Sequence, residues 1–243
     1  MFSIFRKSKE AAVLPFSTDI HCHVIPGVDD GSPDAATSAD LIERMGAWGI
    51  DRIFASPHVT QGVYENTPET LAPALESLKR ELTARGIDIE VAHHAEYRMD
   101  DFSIAQFEAG NVMAMPGDYV MIENPFVSEA WFIDKIIFDL QVKGYRPVLA
   151  HPERYSYYYN NRQRYKELHN AGALFQVNVL SLAGAYGKEQ VAMAEHLIDA
   201  GLVDFLGTDL HNSRHADFID AYLRSSDSRR HFKKLTGLMN DGI

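Results

Sequence analysis

His21 and His23, and far along the chain Asp209 and His211, form two pairs of metal-binding side chains, each pair separated by one residue. On a β-strand residues i and i+2 project from the same face, so each pair can aim both side chains at one point. Groups of similar character lie between them: Asp29-Asp30-Gly31, His58 after Ser56-Pro57, Glu96 after Ala95, Glu123 before Asn124 and His151 before Pro152. Singly, each has an ordinary reading. A histidine beyond a strand commonly makes a hydrogen bond, Asp-Asp-Gly suits a turn, Glu123 suits a loop cap and Asp209 a helix cap. Together they follow one apolar, β-prone run after another, and that shared placement points to a single metal centre.

The set comprises His21, His23, Asp30, His58, Glu96, Glu123, His151, Asp209 and His211. One tetrahedral ion takes four ligands, so this set implies two or three divalent ions. Mixed imidazole and carboxylate donors suit manganese, iron or zinc alike. Three divalent ions would outweigh the four carboxylates and leave a site attractive to a phosphate dianion, although the chain carries a formal charge of −11.

The elements that must position these residues repeat along the chain. Apolar runs at 16–21, 51–55, 87–92, 119–122, 147–150, 174–179 and 203–206 read as strands. Helical patterns separate them. Ser32-Pro33-Asp34 reads as a start, with serine as N-cap, and Gly49 as a stop. Thr67-Pro68-Glu69 opens a helix that closes at Gly86, and others are expected near 103–108, 129–143, 162–170, 189–200 and from 216 onward. Strands alternating with helices imply a parallel sheet. Because ligands follow nearly every strand, closure of that sheet would gather them best, as in a distorted α/β barrel of about seven strands.

At 243 residues and 46% hydrophobic content, the chain fits a single domain with a sizeable core. Residues 16–243 are expected to form it, with 1–15 as a flexible tail. Acidic residues outnumber basic ones 34 to 23, which argues against a nucleic-acid partner. The only cysteine is Cys22, so no internal disulfide forms and a reducing cytoplasm is expected. No apolar run reaches the roughly 18 residues of a membrane span. The opening Met1-Phe2-Ser3-Ile4-Phe5-Arg6-Lys7-Ser8-Lys9-Glu10 is no secretory signal, and its aromatic and basic residues make at most one weak lipid anchor.

In this order the motifs resemble the polymerase-and-histidinol-phosphatase (PHP) superfamily of metal-dependent phosphoesterases. Within it the chain is most similar to the bacterial protein-tyrosine phosphatases encoded with capsule and exopolysaccharide genes. The resemblance rests on Asp19-Ile20-His21-Cys22-His23, Pro26-Gly27-Val28-Asp29-Asp30-Gly31, Ser56-Pro57-His58, Ala95-Glu96-Tyr97, Ala150-His151-Pro152-Glu153-Arg154-Tyr155 and Gly207-Thr208-Asp209-Leu210-His211-Asn212. It implies a distorted (β/α)7 TIM-like barrel and about three metals, commonly manganese. His21, His23 and Asp209 would hold one ion; Glu96 would bridge it to a second held by Glu123 and His151; Asp30, His58 and His211 would hold the third. The resemblance gives Arg154 the phosphate. Arg214 is the choice for a second arginine, and Cys22, where a serine is common, is read as packing.

Such a site would ionise a bridging water near neutral pH, with Glu96 setting the metal spacing and guanidinium groups gripping the phosphoryl oxygens. A phenolate leaves without much protonation, which favours aryl phosphates. No Cys-x5-Arg loop offers a cysteine nucleophile. Tyr155, Tyr157, Tyr158 and Tyr159 would either wall the substrate ring, Tyr155 foremost, or cover the barrel rim. His94 and His215 are either further site residues or surface histidines. The expected activity is phosphotyrosine hydrolysis, with the tyrosine-rich tail of a membrane autokinase as implied partner, in the cytoplasm or peripheral to the inner membrane. The alternative is a small-molecule phosphatase of the histidinol-phosphate type or another phosphoesterase; a catalytically silent binding module is the contrasting class.

Overall fold

The computed structural model describes residues 11–243, so the basic, aromatic opening segment 1–10 lies outside the described residues. The last part of the expected tail is tied down: Ala12 N–H donates to Leu223 O (2.8 Å), Leu14 N–H to Trp48 O (2.9 Å), and Leu14 is buried.

Strand β1 (Thr18–Asp19) leads into the His21/His23 segment, and helix α1 (Ala35–Ala47) follows. Its N-cap is Asp34, whose carboxylate accepts from Thr37 N–H at 2.8 Å; the expected cap, Ser32, is instead buried, with its N–H on His23 O. Next come β2 (Arg52–Ala55), β3 (His58–Thr60) and β4 (Tyr64–Glu65). Helix α2 (Pro68–Arg85) starts at Thr67 with proline in its first turn and ends on Gly86, whose φ of 69° is the left-handed stop glycine supplies most readily.

Strands β5 (Glu90–His93) and β6 (Glu96–Arg98) precede α3 (Asp101–Ala109), capped by Asp100. Strand β7 (Tyr119–Glu123) is followed by α4 (Ile133–Val142), which begins four residues later than the expected 129 because Glu129 and Ala130 are engaged in loop contacts. Strand β8 (Arg146–Ala150), α5 (Gln163–Asn170), β9 (Leu174–Asn178), the single turn α6 (Val179–Leu182), α7 (Lys188–Asp199) and β10 (Phe205–Gly207) continue the alternation. Helices α8 (Ser213–Arg224), starting earlier than expected, and α9 (Ser226–Lys234) close the chain.

The strands form two ladders, β1-β2-β5 and β10-β9-β8-β7-β6-β3-β4, parallel except for the β3–β4 hairpin. Strands β2 and β5 pair in the same register as β3 and β6: Ala55 faces His93 and His58 faces Glu96. The break falls at Ser56-Pro57, where proline lacks the N–H that a ladder needs. His94 N–H to Ala55 O (2.9 Å) and Glu96 N–H to Pro57 O (3.1 Å) carry the backbone across it. At the other edge, Asp209 N–H donates to His21 O (2.7 Å) and His23 N–H to Leu210 O (2.9 Å), with Cys22 and Leu210 bridged in parallel. Cys22 is buried among core side chains, as its reading as a packing residue expects.

The core lies mainly between strands and helices, where Leu41, Ile42, Met45, Ile137, Leu140 and Leu197 meet Ile53, Ile122, Leu149 and Val177. Alternate strand residues form a second cluster, including Ile20, Phe54, Met121, Val148 and Phe205. The sheet is therefore apolar on both faces, and this anchors the strand ends that carry the polar site.

Candidate metal centre

Every one of the nine expected ligands is brought to one place. Glu123 ends β7, and His21, His23, Asp30, His151, Asp209 and His211 follow strand ends. His58 and Glu96 open β3 and β6, just past the breaks after β2 and β5. Their donor atoms fall into overlapping groups, within 4.8 Å of one another: His23, Asp30, His58 and His211; His21, His23 and Glu96; His21, His151 and Asp209; His58, Glu96 and Glu123. Glu96 lies at the hub. His21 Nε2 is 3.3 Å and His23 Nε2 3.4 Å from Glu96 Oε2, while His58 Nδ1 is 3.2 Å from the same oxygen. Glu96 Oε1 faces His151 Nε2 at 3.0 Å, and Glu123 Oε1 is 3.6 Å from that nitrogen. Asp30 sits at the rim, its side chain 56% exposed, 3.4 Å from His58 and 3.6 Å from His211.

Two of the nine have left-handed backbones, His151 with φ 33° and Asp209 with φ 53°, a conformation that costs a non-glycine residue and recurs at functional sites. The turn after His151 is held by Glu153, buried, whose carboxylate accepts from Asn178 N–H (3.0 Å) and Ser181 Oγ–H (2.6 Å).

A second layer of polar groups orients these side chains. Gln176 Oε1 accepts from His21 Nδ1–H (2.6 Å), and Asp29 Oδ2 accepts from His23 Nδ1–H (2.8 Å), so both rings turn Nε2 inward. Asp209 Oδ2 accepts from Arg154 (3.0 Å), Asn178 (2.5 Å) and Tyr186 (2.9 Å), leaving Oδ1 to His21 and His23 at 3.4 and 3.6 Å. Arg98 bonds Glu123 Oε2 at 3.1 Å. Orienting partners of this kind are a regular part of metal sites.

The donor set fits cations. Among the described residues, His21 Nε2, His23 Nε2 and Glu96 Oε2 are buried without a hydrogen-bond partner. Each such atom costs about 1–3 kcal/mol when left so, and a shared cation satisfies all three lone pairs. With only protons to offset them, the carboxylates distort the titration of their neighbours. Burial disfavours a charged His21, yet Glu96 and Asp209 outweigh it and lift its pKa to about 9. Glu123 is raised to about 8 by burial and by Glu96. His151 is depressed to about 4 by burial and then by Arg154, and His211 to about 4 by burial and His23.

The cluster floors a cavity of about 490 Å³. Arg154, Arg98, Phe126, Tyr186, Tyr64 and His215 form much of its wall. The Arg154 guanidinium lies between two rings, 4.2 Å from Tyr186 and 4.7 Å from Phe126.

Three expectations are corrected. Tyr155 is fully buried, accepting from Asn124 N–H (2.9 Å) and donating to Ala150 O (3.0 Å), so it supports a loop and does not meet a ligand. Arg214 is exposed in the first turn of α8 and lies outside the cavity wall; Arg98 supplies the second guanidinium there. His94 is buried with Nε2 on Ile20 O (2.8 Å), a structural role, whereas His215 does reach the cavity. Asp209, which singly suits a helix cap, leaves that task to Asn212.

The sequence singles out the Asp29-Asp30-Gly31 motif but not the bond of Asp29 to His23, and it does not single out Gln176, Asn178, Arg98, Phe126 or Tyr186. Gln176 and Asn178 had a signal: two polar residues on one face of an otherwise apolar strand. Tyr186 and Phe126 lie on loops whose direction no periodicity reveals.

Comparison with known proteins gives the same picture. A family model described as "Capsular polysaccharide synthesis, CpsB/CapC" matches residues 17–219. Tyrosine-protein phosphatase YwqE of Bacillus subtilis is 35% identical over 202 residues, covering 82% of this chain and 79% of its own length. Tyrosine-protein phosphatase CpsB of Streptococcus pneumoniae is 26% identical over 202 residues, 80% of this chain and 82% of its own. A solved structure from work on YwqE and CpsB, described as unique metal-dependent tyrosine phosphatases, superposes with a TM-score of 0.78 at 31% identity, covering 89% of this chain and 91% of that one. The chain therefore belongs to the CpsB/CapC family of capsular polysaccharide synthesis proteins.

Proposed function

We propose that this chain is a metal-dependent protein-tyrosine phosphatase. One observation carries the reading: three buried atoms with no hydrogen-bond partner among the described residues, on His21, His23 and Glu96, converge beside a cavity lined by Glu96 and Arg154. The names of its relatives, tyrosine-protein phosphatases, point the same way.

His21, His23, Asp30, His58, Glu96, Glu123, His151, Asp209 and His211 would hold two to three divalent ions, manganese foremost among manganese, iron and zinc. When bound, such ions lower the pKa of water and neutralise phosphoryl oxygens. The chain's own residues do the rest. Gln176 and Asp29 fix the imidazoles of His21 and His23. Arg154, clamped between Phe126 and Tyr186, presents N–H donors to phosphate in the planar geometry that lysine lacks. Arg98 adds a second positive charge at the wall while steadying Glu123. Phe126 provides an aromatic face beside these arginines, suited to an aryl ester. A phenolate, leaving at a pKa near 10, needs little help from a dedicated acid.

The two ladders act as one distorted (β/α)7 barrel in this reading, supported by the backbone bonds of Asp209 to His21 and of Glu96 to Pro57 across their edges. The physiological substrate is a phosphotyrosine protein, the tail of a membrane autokinase being the favoured one, met in the cytoplasm or at the inner membrane. Among the described residues no helix is long and apolar enough to cross a membrane. Turnover of a phosphotyrosine peptide by manganese-loaded protein, measured with and without chelator, tests the proposal. Loss with chelator and recovery with manganese are expected; turnover indifferent to chelator would refute it.

A further inference from the structure

Tyr155, Tyr157 and Tyr158, after β8, are not among the residues lining the cavity and brace the loop 124–132. Asn124 N–H donates to Tyr155 Oη (2.9 Å) and Asn124 Nδ2 to Tyr158 Oη (3.1 Å). Tyr157 Oη–H donates to Pro125 O (3.0 Å), and Ala130 N–H closes the loop on Asn124 Oδ1 (3.2 Å). Tyr158 also bonds Glu129, which Arg164 grips through two nitrogens at 2.9 Å. An irregular segment is thus held at residues 124, 125, 129 and 130.

What this bracing displays is apolar. Phe126 is 36% exposed and lines the cavity, Val127 is 93% exposed and Trp131 90%. The Phe126 ring stacks on His151 at 5.7 Å and lies 5.7 Å from the Arg98 guanidinium. A rigid loop that exposes large apolar side chains beside a site marks an interaction surface. Continuity selects the occupant, because Phe126 belongs to both cavity and ridge. A ligand seated in the cavity meets Val127 next, and an extended peptide advances about 3.3 Å per residue, so a neighbouring side chain can reach it.

We propose that residues 124–132 form a substrate-reading loop: Phe126 packs on the phenyl ring of a phosphotyrosine, while Val127 and Trp131 receive an apolar side chain flanking it in an extended peptide. This rests on the phosphatase reading and specifies what that site selects.

The chain has two tryptophans, and Trp48 is buried, so Trp131 is a natural reporter. The manganese-loaded full chain is titrated with a peptide carrying a non-hydrolysable phosphonate analogue of phosphotyrosine beside leucine. A blue shift of tryptophan emission is expected, and no shift with the free phosphonate amino acid. In steady-state kinetics, Val127→Ser combined with Trp131→Ala should lower the ratio of kcat/KM for the leucine-flanked phosphopeptide to that for free phosphotyrosine roughly tenfold, the size of one hot-spot contact. Phe126→Leu should raise KM for phosphotyrosine more than for phosphoserine. An unchanged ratio in the double variant would overturn the loop's role. So would an equal emission shift on lipid vesicles without peptide, or loss of self-association in the double variant, each of which assigns the ridge to another occupant. If the unaltered protein turns over neither phosphotyrosine substrate, the phosphatase reading itself has failed.

Discussion

Gln176 and His21 lie on different elements, yet the Gln176 side-chain oxygen is 2.6 Å from His21 Nδ1. That bond fixes the tautomer, leaving the Nε2 lone pair toward Glu96 and Asp209. Gln176→Leu keeps the volume but removes the acceptor. The expected result is a loss of metal affinity of about 10–100-fold, the usual effect of deleting an orienting partner. Isothermal titration with manganese measures it, and an unchanged Kd would show that packing alone holds the ring.

Gly31 touches the site from the other side. A Cβ at this position would sit 2.2 Å from His23 O and 2.5 Å from His23 Cβ. Neither is the far end of a flexible side chain, so the Asp29–Ser32 turn or His23 must move. Gly31→Ala is expected to lower both Tm and manganese affinity, with a stability loss at or above the roughly 1–3 kcal/mol of ordinary overpacking. Thermal melts with and without metal separate the two effects.

These two contacts also mark what a sequence discloses. The convergence of the candidate ligands was legible because metal binding restricts residue type, and strand ends restrict place: His21/His23 and Asp209/His211 needed only a period of two. Strand-helix alternation was legible for the same reason, since apolar runs and caps such as Thr67 and Gly86 are local signals. The short strands β3 and β6, which resume beyond the Ser56-Pro57 and His94-Ala95 interruptions and outside the expected runs at 51–55 and 87–92, depend on pairing across the sheet. The direction of Tyr155 and the exposure of Arg214 depend on how one loop packs on another. Asp34 displaced Ser32 as cap by a choice between two good cap residues, because Ser32 is buried with its N–H on His23 O.

Metal uptake should release protons. At pH 7 the metal-free cluster keeps a proton on His21, raised to about 9, and on Glu123, raised to about 8, whereas ligation needs both lone pairs. Apparent affinity therefore rises with pH through the values of Glu123 and His21, and His23, also raised because Asp29 and Glu96 outweigh its burial, adds to the rise. The sign for metal-free stability is opposite. The His21 contribution is complete below its unfolded value near 6.5 and is lost as pH climbs through about 9. Glu123, whose burial favours the protonated acid, loses stability from about 4.5 to about 8. The gain in Tm on adding manganese is thus expected to grow between pH 6 and pH 9. Calorimetry in buffers of differing ionisation enthalpy counts the protons; a flat pH profile would contradict the assignment.

Arg154 offers the sharpest test of the chemistry, because its surroundings separate charge from shape. Its guanidinium bonds Asp209 Oδ2 at 3.0 Å and is stacked between Phe126 and Tyr186. Arg154→Ala removes the charge, the fork and the stacked plane. Arg154→Lys restores the charge alone, as a flexible point donor that neither stacks nor binds two oxygens at once. If Arg154 serves only to neutralise Asp209, lysine should recover most of kcat/KM on a phosphotyrosine peptide. If it grips the phosphoryl group, both variants should fall by roughly a hundredfold or more, since preorganised charge on the reacting group commonly contributes that much. The second outcome is expected, together with weaker inhibition by inorganic phosphate in both variants. Manganese affinity then needs to stay within a few-fold of the unaltered protein, because a larger loss would place Arg154 in the support of Asp209 and not on the substrate.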